Sequence, residues 1–152
     1  MNISDTGINL ITEFEGFRNT AYQDGAGVWT IGYGTTVIDG QPVKPGIVCT
    51  QDDAKVWLKT DMMTATRAVS TLCKQPLTQN QFDALVCLVY NIGSGNFSGS
   101  TILRKINDPA LGPSAVTQDN FTAWNKIRND GKLVVSNGLT RRRKAEYQLF
   151  SK

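Results

Sequence analysis

Ala21-Tyr22-Gln23-Asp24-Gly25-Ala26-Gly27-Val28-Trp29-Thr30-Ile31-Gly32-Tyr33-Gly34 decides the architecture of this 152-residue chain. On either side of it apolar residues recur at helical spacing, and within it they do not. Gly25, Gly27, Gly32, Gly34, Gly40 and Gly46, with Pro42 and Pro45, cut the segment from Ala21 to about Val48 into short pieces such as Val28-Trp29-Thr30-Ile31 and Val43-Lys44. Punctuation of that density around β-branched and aromatic runs predicts a small antiparallel sheet with tight turns.

Working outward, Ser4 or Asp5 is placed to cap a first helix that carries Ile8, Leu10, Ile11 and Phe14 and stops at Gly16. Thr50 caps a second, with Gln51-Asp52-Asp53 in its first turn; Ala54, Trp57, Leu58, Met62 and Val69 carry its apolar face to about Leu72. After Pro76, Thr78 caps a very apolar helix through about Tyr90, expected at the centre of the main core. Gly93 to Gly99 reads as a turn-rich joint, Thr101 to about Asn107 as a short helix and Pro109 to Pro113 as a loop. Helices near Gln118–Asn129 and Thr140–Phe150 are expected to finish the chain, separated by turns at Asp130-Gly131 and Asn137-Gly138, with a brief strand at Leu133-Val134-Val135. The class is therefore α+β and mostly helical, a single domain over 1–152. A β-bearing lobe (about 16–58) is expected to join, through a long helix, a larger helical lobe (about 1–15 and 59–152), leaving a cleft between the two.

Histidine is absent, which removes Ser-His-Asp and Cys-His catalysis and every metal site that relies on imidazole. Acid–base chemistry near neutral pH then falls to carboxylates, Lys, Tyr or Cys, with carboxylates foremost. Cys49, Cys73 and Cys87 are widely spaced without a Cys-x-x-Cys pair, so they offer neither a zinc site nor a disulfide framework. Cys87, inside Ala84-Leu85-Val86-Cys87-Leu88-Val89, reads as a buried thiol. Reduced cysteines are the simplest assumption, although three thiols permit one bridge. No cofactor and no metal are expected. Met1-Asn2-Ile3-Ser4-Asp5 has neither the basic nor the apolar part of a leader, and no apolar run approaches the roughly 20 residues that span a bilayer. The formal charge of +3 suits an anionic partner such as cell wall or nucleic acid, and is as common on proteins with neither.

Two glutamates stand near the end of the first helix, and helical phase separates them. At ~100° per residue Glu13 and Glu15 point to roughly opposite sides. Glu15 follows Ile11 by four residues and Ile8 by seven, at the edge of the apolar face; Glu13 follows Asn9 and Thr6 at the same intervals, on the polar face. Glu15 is thus expected to be partly buried beside the negative end of the helix dipole, surroundings that favour a protonated carboxyl. General-acid cleavage of a glycosidic bond needs such an acid. From position alone, a structural glutamate paired with Arg18 or with an arginine of the C-terminal cluster reads as well.

The residues after Glu15 narrow the choice. Glu15-Gly16-Phe17-Arg18, then Asp24 nine residues after Glu15, then Thr30 six further on and opening Thr30-Ile31-Gly32-Tyr33-Gly34, resembles the phage-type lysozymes of glycoside hydrolase family 24. Later stretches are similar as well: Asn80-Gln81-Phe82-Asp83-Ala84-Leu85, Tyr90-Asn91-Ile92-Gly93, Phe97 with Ser100-Thr101, and Gly138-Leu139 followed by Arg142-Arg143 and Glu146. The resemblance spans nearly the whole chain, and its N-terminal motif is the more specific part. It implies a lysozyme-like fold and a muramidase that hydrolyses the β-1,4 bond between N-acetylmuramic acid and N-acetylglucosamine in peptidoglycan, for host-cell lysis. Glu15 would be the general acid, and Asp24 and Thr30 would hold and activate a water on the opposite face of the sugar, an inverting arrangement. The resemblance also implies sugar contacts from Tyr33, Gly34, Tyr90, Asn91 and Ser100. It implies an arginine paired with Glu15 too, Arg142 first and Arg141 close behind.

Other features have bland readings. Tyr90-Asn91 reads equally as a core tyrosine and a helix-ending asparagine. Gly93-x-Gly95 with Gly99 has the wrong spacing for a phosphate-binding loop, and no strand precedes it. Thr140-Arg141-Arg142-Arg143-Lys144 is densely basic, but no nucleic-acid module accompanies it, and a solvated helix face is the ordinary outcome. Two functions compete with the muramidase. A wall-binding module without the chemistry is weighed against by intact Glu15, Asp24 and Thr30; a small basic nucleic-acid binder lacks any readout module. The expected partner is bacterial peptidoglycan, reached from the host cytoplasm once a membrane-permeabilising holin acts. No direct protein partner, nucleic acid or membrane span is expected, and the chain is expected to be a monomer.

Overall fold

The computed structural model describes residues 1–152 and divides into two compact units, residues 8–63 and residues 1–7 with 64–152. The class is the mostly helical α+β class expected.

In the 8–63 unit, α1 (Asp5–Phe14, its first turn outside the unit) leads into an antiparallel ribbon of β1 (Arg18–Gln23) and β2 (Trp29–Gly32). Tyr22 stands opposite Thr30 and Gln23 opposite Trp29, with an irregular register between Arg18 and Tyr22. A second ribbon, β3 (Val37–Ile38) with β4 (Gln41–Pro42), closes over Asp39 and Gly40 at φ 49° and 77°. Paired positive φ values give the two-residue turn whose twist matches that of the strands. The glycine-rich stretch thus yields two ribbons instead of one sheet. The strand expected at Val43-Lys44 lies just before it, at Gln41–Pro42; buried Val43 still bonds Thr36 O through its N–H at 2.9 Å, one pair beyond Val37 and Pro42.

α2 (Gln51–Asp61) starts where the sequence indicates. Thr50 Oγ1 accepts Asp53 N–H at 3.1 Å, and Asp53 Oδ2 accepts Thr50 N–H at 3.2 Å, a reciprocal capping box. The single long helix expected from here to Leu72 is two helices, α2 and α3 (Met63–Leu72). Met62, at the loose edge of the helical region with ψ of −2°, closes α2 by sending its N–H to Leu58 O and Thr60 O, while its side chain is completely buried. Burial of that thioether holds a break that helix propensity alone does not foresee.

The larger unit is built on α4 (Gln79–Ile92), in which Phe82 to Val89 are all buried. A helix apolar all round belongs inside a core, and α4 packs along α8 (Asn137–Phe150). Its capping box joins Thr78 and Gln81. Asp83 is fully buried on α4 and satisfied by Ser4 N–H at 3.0 Å, by the Ser4 hydroxyl, and by Gln79 Nε2 at 2.8 Å. Ser4, one of the two residues expected to cap α1, gives its hydroxyl to this carboxylate. All three cysteines are free; burial pushes the Cys73 thiol up to about 11.

Three further expectations are corrected here. Residues 93–99 hold a helix, α5 (Ser94–Ser98), where a joint was expected: completely buried Phe97 anchors a turn of otherwise helix-poor Ser, Gly and Asn. α6 (Thr101–Asn107) lies as expected, and a 3₁₀ turn at Pro113–Ala115 follows it. α7 (Gln118–Thr122) ends early, and Lys126–Asn129 forms β5 in place of more helix. It pairs with β6 (Lys132–Val135) over Asp130 and Gly131, at φ 49° and 77°. The strand expected at Leu133-Val134-Val135 needed a partner, and a two-residue turn makes residues 126–129 the one that closes cheaply. Asn137-Gly138, expected as a turn, instead opens α8 behind the Ser136 cap, whose Oγ accepts Leu139 N–H at 3.2 Å.

α8 buries charge. Glu146 Oε1 accepts Arg142 Nε at 3.1 Å and an Arg143 terminal nitrogen at 2.8 Å, while Arg143 Nε makes an ion contact with Oε2 at 2.7 Å. Burial pushes the Glu146 carboxyl up, and Arg143 and Arg142 pull against it. Breaking such a cluster strands charge in a dry interior. Glu146→Ala is expected to cost roughly 3–5 kcal/mol in urea unfolding, against little change for Lys144→Ala on the exposed face of the same helix.

Candidate active site

Glu15 is the first residue beyond α1; its N–H bonds Ile11 O at 3.0 Å. It is half-buried while Glu13 is exposed, the separation that helical phase requires. Gly16 and Phe17 carry the chain into β1, where Arg18 stands opposite Gly32. The Phe17 and Tyr33 rings meet at 5.3 Å between centroids, tilted by 45°. The end of the first helix is thereby joined to the segment that follows Thr30.

Asp24 and Thr30 converge on the peptide groups of one residue, Val28. Asp24 N–H bonds Val28 O at 2.9 Å, and Asp24 Oδ1 accepts both Val28 N–H and Ala26 N–H, each at 2.9 Å. Thr30 Oγ1 donates to the same Val28 O at 3.0 Å. A side chain that closes on its own following backbone is what Asp does well in a tight turn. Asp24 is exposed and its Oδ2 accepts nothing from the protein, whereas Thr30 is only 5 % exposed. The hydroxyl has committed its one proton to Val28, so its lone pairs remain as acceptors.

Beyond Thr30 the chain turns tightly. Ile31 and Thr35 exchange both backbone hydrogen bonds at 2.9 Å, enclosing Gly32-Tyr33-Gly34. Both glycines have positive φ, 67° and 94°, and a Cβ on Gly32 would lie 2.9 Å from Ala54 Cβ on α2. Thr35, wholly buried, donates its hydroxyl to Asp61 Oδ2 at 2.6 Å.

Glu15, Asp24, Thr30, Tyr33 and Gly34 all lie in the 8–63 unit. Tyr33 is buried and Gly34 exposed. The other sequence-derived candidates belong to the larger unit. Tyr90 is half-buried and Asn91 exposed in the last turn of α4; Asn91 lines a cavity of about 550 Å³ with Asn96, Trp124, Lys126 and Leu133 among its walls. Ser100 is buried and caps α6 through Leu103 N–H at 3.1 Å. Arg142 is buried beside Glu146 and gives a terminal nitrogen to Cys87 O at 3.4 Å; Arg141 is exposed. No cluster of three or more His, Cys, Asp or Glu side chains is gathered to hold a metal. Val28, Thr35 and Asp61 escaped sequence reasoning: Val28 acts through its backbone, and the Thr35–Asp61 bond joins positions 26 apart that no local pattern links.

The 8–63 unit thus carries a helix-end carboxyl and a hairpin with a second carboxylate and a threonine, in a mostly helical chain. The phage lysozyme family profile matches residues 12–146. An endolysin of Acyrthosiphon pisum secondary endosymbiont phage 1 is 42 % identical over 150 residues, covering 99 % of this chain and 98 % of the relative. Among solved structures, an endolysin from Escherichia coli O157:H7 phage FAHEc1 superposes with a TM-score of 0.87 at 41 % identity, covering 99 % of this chain and 93 % of that one. A mutant of P22 lysozyme gives 0.85 at 38 % identity, covering 100 % and 99 %. The chain belongs to the phage lysozyme family.

Burial pushes the Asp61 carboxyl above its ordinary 3.8, against the pull of the Thr35 hydroxyl. The folded chain then keeps this proton to higher pH than the unfolded chain does. The stabilising contribution of this group is therefore full below the unfolded value and declines as pH rises through the folded one. Asp61→Asn is neutral throughout, so its stability relative to wild type is expected to increase with pH across that window. Urea unfolding at stepped pH measures the difference, and a flat profile would contradict it.

Proposed function

We propose that Glu15, Asp24 and Thr30 carry the glycoside hydrolase chemistry of this family member, cleaving the β-1,4 bond from N-acetylmuramic acid to N-acetylglucosamine by single displacement. The observation that carries the reading is the shared attachment of Asp24 and Thr30 to Val28. Asp24 Oδ2 and Thr30 Oγ1 are two acceptors on one rigid strut, suited to take the two protons of a water and so aim its lone pair at the anomeric carbon. Asp24 removes a proton as the water attacks. Glu15 donates one to the departing glycosidic oxygen. Its half-buried place at the end of α1 suits an acid that must approach the bond without being washed by bulk water.

Gly34 and Asn91 are the candidates for sugar contact with the most exposed surface, and Tyr33 and Tyr90 would supply aromatic edges. Ser100 would take part only while keeping its cap on α6. Of the two arginines proposed to support Glu15, Arg142 is preferred to exposed Arg141, because its guanidinium is buried and held by Glu146. The protein is a lysozyme-class muramidase that acts on the bacterial wall as endolysins do. No helix is long and apolar enough to cross a membrane. Passage to the wall is proposed to depend on a holin, and the chain is proposed to act as a monomer.

Glu15→Gln is expected to abolish clearing of permeabilised Gram-negative cells while leaving the circular dichroism spectrum intact; clearing at the wild-type rate would remove Glu15 from the role of acid. Freshly released reducing ends are expected to carry the α configuration by proton NMR. A first-formed β-anomer would instead mean a covalent, double-displacement route.

A further inference from the structure

The carboxylate of Asp61 sits where helix physics disfavours it. It is the last residue of α2, where the negative end of the helix dipole repels a carboxylate, and it is half-buried. On the same face of α2 stand Ala54, Trp57 and Leu58, so the helix pattern alone would accept an apolar side chain here. Departures from local preference of this kind tend to mark places where geometry, not stability, is being held.

What Asp61 holds is the turn after Thr30. Its Oδ2 accepts the hydroxyl of fully buried Thr35 at 2.6 Å, within the short range of a charge-assisted bond. Thr35 closes the turn through its two backbone bonds to Ile31, and Ile31 is covalently next to Thr30. At the middle of the same turn Gly32 lies against Ala54, seven residues before Asp61 on α2. The turn is therefore pinned to one helix at two points. On its other side, Thr30 is fixed by pairing with Tyr22 and by its bond to Val28 O.

We propose that Asp61 is a positioning residue for hydrolysis, which through the Thr35 hydroxyl fixes the Ile31–Thr35 turn and with it the orientation of Thr30 toward the attacking water. This rests on the role given to Thr30 above. Asp61 and Thr35 touch neither water nor sugar in this scheme. Sub-ångström displacement of a water-holding group reaches the rate and not the affinity, because the water is aligned only as the bond breaks.

The test compares Thr35→Val, which keeps shape and removes the donor, with Thr35→Ser, which keeps the donor. Rates on soluble, uncross-linked peptidoglycan strands separate kcat from KM. Thr35→Val is expected to lose kcat by on the order of tenfold or more with KM nearly unchanged, and Thr35→Ser to recover most of the rate. Asp61→Asn, which still offers an acceptor, should fall between them. Amide NMR should show shifts at Thr30 and Ile31 in Thr35→Val, with α4 undisturbed. Folded Thr35→Val at the wild-type kcat, or equal losses in the Val and Ser variants, overturns the proposal. So does a loss confined to KM, or unmoved Thr30 and Ile31 amides. Glu15→Gln, assayed alongside, keeps the two readings apart. If it stays active, the hydrolytic assignment has failed; if it is dead while Thr35→Val is fully active, only the positioning role has.

Discussion

Gly32 lets β2 lie so near α2 that a Cβ there would stand 2.9 Å from the Cβ of Ala54, at a φ of 67° that side-chain-bearing residues rarely adopt. That approach sets the height of the whole Thr30–Thr35 segment above the helix. With Gly32 against Ala54, Thr35 falls within reach of Asp61, Ile31 and Tyr33 are buried, and Thr30 is held within a strand that pairs with β1. A larger residue at 32 would lift the turn, lengthening the Thr35–Asp61 bond and loosening the Ile31–Thr35 closure together. The candidate site inherits its precision from a helix contact on the far side of the hairpin, not from the exposed loop that carries Asp24.

The larger unit solves a different problem with the same kind of group. Asp83 and Glu146 are both fully buried carboxylates, and each is surrounded by donors: Ser4 and Gln79 for the first, Arg142 and Arg143 for the second. Burying a charge without partners costs several kcal/mol, so these networks persist only because nearly every acceptor is used. Asp61 differs, being half-exposed with one hydroxyl as its partner. What makes it informative is its link through the Thr35 hydroxyl to the turn that follows Thr30.

Much of this was legible in the sequence where the determining contacts are local. Thr50 and Thr78 both announced their helices, because a capping box is closed within four residues. The deeper placement of Glu15 than of Glu13 followed from helical phase alone. The expectations that failed depended on distant or tertiary partners. Phe97 makes a helix of residues 94–98 by burial, Met62 breaks α2 from α3 by burial, and residues 126–129 became a strand because β6 offered an edge. Asn137-Gly138 has the composition of a turn, yet the cap on Ser136 committed it to α8. In the candidate site, the residue types and spacing of Glu15, Asp24 and Thr30 could be read, but the strut at Val28 could not, since a backbone carbonyl carries no sequence signature.

That strut bears on which chemistry the site is suited to. A carboxylate acting as a covalent nucleophile needs one free oxygen and has no use for a second acceptor beside it. Here Asp24 has one oxygen tied down by two N–H groups, and the hydroxyl of Thr30 is oriented by giving its proton to the same Val28 whose N–H holds Asp24. Anchoring through Oδ1 keeps the carboxylate from swinging forward, and the hydroxyl adds an acceptor that only a proton-bearing species can use. A water bears two protons and fits between such acceptors; a sugar carbon bears none to give. Under the roles proposed for Asp24 and Thr30, the two acceptors on one strut suit a water as the attacking species, and with it single displacement.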